Sequence, residues 1–178
     1  MATGGKKLGK AGRPPADAAR RLKAMAATVA TAESCTGGGL GWRLTARPGS
    51  SAYFLGGVIA YDNAVKVRVL GVRPSTLARH GAVSSPVAAE MALGVRRRLG
   101  SGYGVGVTGV AGPDGGTARK PVGLVFIGVA DASGCCVKQF RFCGGRAAVR
   151  RAAVGAALSM LADRLKRSLK ERCHGEKS

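Results

Sequence analysis

The chain of 178 residues has the usual size of one compact domain, and with 46% hydrophobic residues it can build a real core. Aromatics make up only 4%, so Val, Leu, Ile and Ala must fill that core, while 29 glycines gathered between apolar runs mark tight turns and argue against disorder. Lys and Arg outnumber Asp and Glu by 29 to 9, and the net charge of +20 makes nucleic acid a candidate partner, although the basic residues are spread and few aromatics accompany them for base stacking.

The five cysteines (Cys35, Cys135, Cys136, Cys143 and Cys173) are odd in number and show no C-x-x-C spacing, which supports neither a zinc site nor a disulfide framework. No metal and no cofactor is expected, and reduced thiols point to the cytoplasm. No apolar run approaches the ~20 residues of a membrane span. Met25–Ala32 is too short and weak for a signal peptide, and Lys23 adjoins it.

In chain order, residues 1–15 read as a mobile basic arm whose Gly12-Arg13-Pro14 could reach a DNA minor groove. Residues 16–172 form one domain and 173–178 a tail. A helix is predicted from Ala16 to Ala26, a strand over Thr28–Ala32 and a short helix over Leu40–Thr45. Pro48-Gly49-Ser50-Ser51 reads as a turn, Gly57–Tyr61 as a strand, Asn63–Leu70 as a helix stopped by Gly71, and Ser75–Arg79 as one more helical turn. Ser85 before Pro86 is a helix start, with a hydroxyl cap and then proline at the first helical position. That helix carries Val87, Met91 and Val95 and ends at Gly100. Tyr103–Thr108 alternates Gly with Val as a strand, Val110–Lys120 is a Gly/Pro loop, and Val122–Ala130 is an apolar strand. Asp131-Ala132-Ser133-Gly134 turns it into Cys136–Phe142. A last helix, Arg146–Lys170, sets Val149, Ala153, Leu158, Leu161 and Leu165 on one face. Helices alternating with strands and a closing hairpin predict an α/β fold: a three-layer α/β/α sandwich on a mixed, mostly parallel sheet.

Three loops could carry chemistry. Glu33–Gly39 follows a strand and opens a helix, so Ser34 would sit at the strand's carboxyl end, where helix N–H groups can stabilise an anion. Ser34 or Thr36 could equally serve only as a helix cap. Cys35 is a rival nucleophile, but neither His80 nor His174 lies in a Gly-rich loop that suggests a partner. In the second loop, Lys66 lies one helical turn past a strand end; it can act as a base only with a lowered pKa, and its default role is a surface lysine. The third, Thr108–Gly116 followed by Lys120–Gly123, would let backbone amides approach a phosphate, yet it has neither P-loop spacing nor a dinucleotide fingerprint.

Ala32-Glu33-Ser34-Cys35-Thr36-Gly37-Gly38 resembles the signature of the CinA C-terminal family, whose members include nicotinamide mononucleotide deamidases. The likeness continues through Pro48-Gly49-Ser50-Ser51, Gly56-Gly57, Tyr61-x-Asn63-x-x-Lys66 and Gly71-Val72. Beyond these come His80-Gly81-Ala82-Val83-Ser84, Thr108-Gly109-x-Ala111-Gly112-Pro113 and Lys120-Pro121-Val122-Gly123, so that nearly the whole chain is covered. The resemblance implies an amidohydrolase that converts nicotinamide mononucleotide to nicotinate mononucleotide and ammonia in pyridine nucleotide salvage. It implies Ser34 as nucleophile, Lys66 as base and Tyr61 in proton transfer or orientation. Gly37, Gly38, Ser51, Thr108 and Gly109 would contact substrate, and Arg150 would hold the phosphate. A homo-oligomer is the expected assembly. Three positions depart from the family pattern: Asp62, Ala64 and Gly145, the last leaving the final helix without an acidic cap. The larger companion domain of some members is not expected, since only the arm precedes Ala16. The competing readings are a non-catalytic nucleotide-binding domain and a basic nucleic-acid-binding protein.

Overall fold

A computed structural model describes the backbone of residues 14–175 and the side chains of residues 17–169. The first thirteen residues of the expected arm, with Gly12-Arg13, lie outside the described residues, as do the last three of the tail. Five strands form one sheet: β1 (Val29–Glu33), β2 (Phe54–Ile59), β3 (Tyr103–Gly109), β4 (Leu124–Asp131) and β5 (Gly134–Arg141). Their order is β2-β1-β3-β4-β5, with β1 parallel to both neighbours and the β3–β4 and β4–β5 pairs antiparallel. Four strands thus run one way and β4 alone runs against them, which is the mixed sheet expected.

Helices α1 (Pro14–Ala24), α2 (Gly39–Thr45) and α6 (Arg146–Gly175) cover one face, while α3 (Asn63–Arg68), α4 (Pro74–His80) and α5 (Ser85–Leu99) lie on the other side. The two faces pack differently. Val105, Val107, Val125, Ile127 and Val129 meet Leu22 of α1, Leu40 and Leu44 of α2, and the apolar stripe of α6, in which Val149, Ala153, Leu158, Leu161 and Leu165 are all buried. On the opposite face the alternating glycines of β3 let α5 come close. A Cβ on Gly106 would stand 2.5 Å from the Ala88 carbonyl oxygen, and one on Gly104 would collide with that of Ala92. The alternation of Gly with Val therefore encodes one thin and one thick layer.

Several boundaries move for identifiable reasons. Helix α1 begins at Pro14, two residues before the expected Ala16. It ends when Ala26 turns left-handed (φ 46°) and the Ala27 N–H bonds back to the Leu22 carbonyl, a Schellman-type stop made without glycine. Strand β2 starts at Phe54, three residues before the expected Gly57, because a register irregularity against Val29 and Ala30 accommodates Leu55 and lets Gly56 and Gly57 pair within the ladder. The start of α5 is also corrected: the cap position is Ser84, whose hydroxyl donates to the Gly81 carbonyl at 2.9 Å instead of capping the helix. Helix α6 continues to Gly175, so the tail's first residues are helical.

The β4–β5 hairpin is locked by Asp131, whose carboxylate accepts from Ser133 N–H and Oγ and from Arg164 of α6. The Arg164 guanidinium holds this carboxyl at about 2, below its ordinary 3.8, and both side chains are largely buried. Ionised Asp131 therefore stabilises the fold above pH 4, and this contribution drains away as pH falls toward 2. Asp131→Asn is expected to cost ~2 kcal/mol at neutral pH in denaturant titrations, with the gap to the parent closing below pH 4.

Candidate active site

Parallel pairing brings the first two loops together. Strands β1 and β2 are neighbours with Glu33 opposite Ile59, and the Ala60 N–H donates to the Glu33 carbonyl, so Ser34 and Tyr61 leave the same end of the sheet side by side. On the other flank the Ser34 N–H donates to the Val107 carbonyl of β3, which sets Thr108 and Gly109 beside the same loop. Ser34 is half-buried there. Lys66 stands one turn into α3, which Asp62 caps by accepting the Ala64 N–H at 2.7 Å. The residue that departs from the family pattern at 62 thus acts as a helix cap.

Lys66 is not a surface lysine. It is 1% exposed, and its ammonium donates to the Tyr61 carbonyl at 3.0 Å. Burial pulls its pKa below the ordinary 10.5, opposed by the charges of Asp62 and Cys35. Cys35 is buried too, and loss of solvent pushes its thiol up to about 11, against the influence of Arg150 and Arg146. A thiol of that pKa is almost wholly protonated at neutral pH and, like a serine hydroxyl, needs a base to attack.

Two arginines of α6 tie the loops together. Arg150 donates to the Thr36 carbonyl at 2.9 Å and lies against Gly37, where a Cβ would come within 3.2 Å of its Nη2. Arg146 donates to the Tyr61 hydroxyl and to the Gly112 carbonyl, both at 2.9 Å, and so joins the β2–α3 and β3–β4 loops. Of the two, Arg146 is the arginine that touches Tyr61. The Thr108 hydroxyl donates to the Ala82 carbonyl at 2.8 Å. Gly109 is glycine for packing, since a Cβ would sit 2.6 Å from the Leu124 carbonyl oxygen. Gly37 and Gly38 both have positive φ, 55° and 90°, a conformation that costs glycine nothing.

Glu33 is the residue that sequence reasoning passed over. Its buried carboxyl group accepts the Leu40 N–H at 2.9 Å and the Gly41 N–H at 2.8 Å. This corrects the expectation that the start of α2 points unpaired N–H groups at an anion, because Glu33 takes them from within. The loop's own amides at Thr36 and Gly38 carry no hydrogen bond among the described residues.

Ser51 is not part of this cluster within the chain. It lies in a 3-10 turn (Ser50–Ala52) before β2, whereas Ser34 follows β1. With Val29 opposite Phe54 and Glu33 opposite Ile59, the two serines stand at opposite ends of parallel strands. Among the described residues, no three His, Cys, Asp or Glu side chains gather where they could share a metal ion, and no helix is long and apolar enough to cross a membrane.

The chain is similar to a CinA-like protein of Thermosynechococcus vestitus, at 59% identity over 146 residues that make up 80% of this chain and 35% of that protein. A CinA-like protein of Nostoc punctiforme is 50% identical over 151 residues, covering 83% of this chain and 35% of its own. The chain thus spans about a third of the length of these relatives. Its fold matches the crystal structure of the competence/damage inducible protein CihA from Agrobacterium tumefaciens with a TM-score of 0.82 at 38% identity, covering 90% of this chain and 99% of that one. The competence damage-inducible protein A structure from Klebsiella pneumoniae matches with a TM-score of 0.83 at 36% identity, covering 86% and 95%. The sequence profile of the CinA C-terminal domain matches residues 14–165, and the chain belongs to that family.

Proposed function

We propose that the chain is an amidohydrolase that deamidates nicotinamide mononucleotide to nicotinate mononucleotide and ammonia. The observation that carries this reading is the burial of Lys66 beside the Ser34 loop, with an ammonium pKa lowered by loss of solvent. A lysine in that state can exist as the free amine and serve serine as a base where no histidine is at hand. Ser34 Oγ attacks the carboxamide carbon as its proton passes to Lys66 Nζ. The Thr36 and Gly38 amides hold the oxyanion. Collapse of the tetrahedral adduct breaks the C–N bond, and the proton returns to the leaving nitrogen as ammonia. Water then hydrolyses the serine ester by the same base and releases the carboxylate. Tyr61, its hydroxyl fixed by Arg146, orients the amide or relays the proton, with Gly37, Gly38, Thr108 and Gly109 lining the pocket.

The substrate phosphate falls to Arg150, which keeps N–H donors beyond the one given to Thr36. Purified protein is expected to release ammonia from nicotinamide mononucleotide in step with the acid product. A protein that binds the mononucleotide without releasing ammonia would instead be a non-catalytic binding domain. The dephosphorylated riboside should be turned over at least ~10-fold more slowly in kcat as well as binding less well, because binding energy at a remote phosphate helps to orient the reacting amide. Arg150→Ala should lose most of that preference. An unchanged preference in Arg150→Ala would move the phosphate contact to Arg146.

A further inference from the structure

Between α2 and α6 lies a cleft of about 650 Å³ whose walls lack Ser34, Tyr61 and Lys66 and which borders the proposed site only through Thr36 and Arg150. Its lining includes Thr36, Trp42, Arg43, Arg150, Arg151 and Leu158. Three features set it apart from ordinary basic surface. Trp42, the chain's single tryptophan, is 70% exposed and so contributes little to the core. Arg43 and Arg151 are exposed beside it, have no carboxylate partner among the described residues, and face a cleft lined by no acidic residue. The Thr36 hydroxyl is buried and has no hydrogen-bond partner among the described residues. Buried polar atoms of native proteins are rarely left in that state.

We propose that this cleft is a second ligand site and that its ligand is a nucleoside monophosphate. An indole face offers a stacking surface for a flat base, and guanidinium groups are the side chains best shaped for a phosphate. The volume falls in the range of small-molecule sites. A single aromatic gives no platform for successive bases, which favours one nucleotide over a nucleic-acid strand. Arg150 forms a wall of the cleft and also holds the Thr36 carbonyl of the nucleophile loop. A ligand here therefore reaches the loop that carries Ser34 through Thr36 and Arg150. The inference shares Arg150 and Thr36 with the deamidase reading but rests on Trp42, Arg43 and Arg151, which that reading does not use.

The test uses the intrinsic fluorescence of Trp42 in the full chain, titrated with adenosine monophosphate, adenosine and ribose 5-phosphate. Adenosine monophosphate is expected to give a saturable change, with each fragment at least about tenfold weaker. Arg43→Ala and Arg151→Ala, both exposed and away from the core, should each weaken binding about tenfold while leaving the circular dichroism spectrum unchanged. Ser34→Ala should bind as the parent does, which separates this result from the fate of the catalytic proposal. No saturable change at millimolar nucleotide, or undiminished affinity in both arginine variants, would overturn the inference. So would tighter, steeply salt-dependent binding of oligodeoxyadenylate, or shielding of Trp42 from iodide that grows with protein concentration, which would identify a second copy as the occupant.

Discussion

Ser34→Ala is expected to lower kcat for nicotinamide mononucleotide by a factor on the order of 10³ or more, Lys66→Ala by a similar factor, and the double variant by little beyond either. Such non-additivity is the mark of two groups acting as one unit: a hydroxyl without its base, or a base without its hydroxyl, does the same residual chemistry. The pH profile adds a second readout. Lys66 must be neutral to accept the proton, so kcat/KM should rise as pH rises through its pKa. The midpoint of that limb should fall below the ordinary lysine value of 10.5, because burial lowers the pKa. Lys66→Ala should abolish the limb together with the rate. Cys35→Ala supplies the control. A thiol pushed up to about 11 is ionised to roughly one part in 10⁴ at pH 7, so that variant should keep turnover within a few-fold of the parent. Full activity in Ser34→Ala with none in Cys35→Ala would reverse the assignment.

The second large effect is expected at Glu33, which faces no substrate. Its carboxyl group accepts two N–H groups from the first turn of α2, at 2.9 and 2.8 Å, in a buried setting. Glu33→Ala leaves both donors without a partner and opens a small void. It should cost ~3 kcal/mol, lowering Tm by about 6–12 °C for a chain of this size. Glu33→Gln keeps one acceptor oxygen but turns an NH₂ toward the other donor, and should cost about half as much. Activity is expected to fall more than stability requires, measured at a temperature where each variant is folded, because Glu33 precedes Ser34 and fixes the turn between β1 and α2. Thermal melts of Glu33→Ala within a degree of the parent would show that the carboxyl group is not the anchor of that turn.

The elements were legible where one physical signal dominated. The 3.6-residue apolar stripe of α6 and the left-handed Gly100 that ends α5 are local facts, and the chain obeys both. The start of β2 was not legible, because Gly56-Gly57 looks like a strand breaker until Ala30 and Thr31 of β1 are set beside it. In the site, the approach of the Ser34 loop to the segment that carries Tyr61 and Lys66 follows from topology: both leave the carboxyl ends of neighbouring parallel strands. Ser51 illustrates the limit of reading along the chain. It lies only 17 residues past Ser34, but α2 carries the chain back to the amino end of the sheet. Glu33 was hidden for a related reason, since its partners at residues 40 and 41 become neighbours only after the positive-φ turn at Gly37 and Gly38. Arg146 and Arg150 are one helical turn apart on α6, and periodicity cannot say which of them reaches Tyr61.

Covalent attack by Ser34 on the carboxamide of nicotinamide mononucleotide passes through an acyl-enzyme. The most direct measurement is the intact mass of the protein quenched with acid during turnover, followed by peptide mapping. A transient adduct equal to the substrate less ammonia is expected on the peptide that contains Ser34, absent from Ser34→Ala and decaying as nicotinate mononucleotide appears. Ammonia released at the full rate with no adduct in the parent at any quench time, and unchanged release by Ser34→Ala, would contradict it.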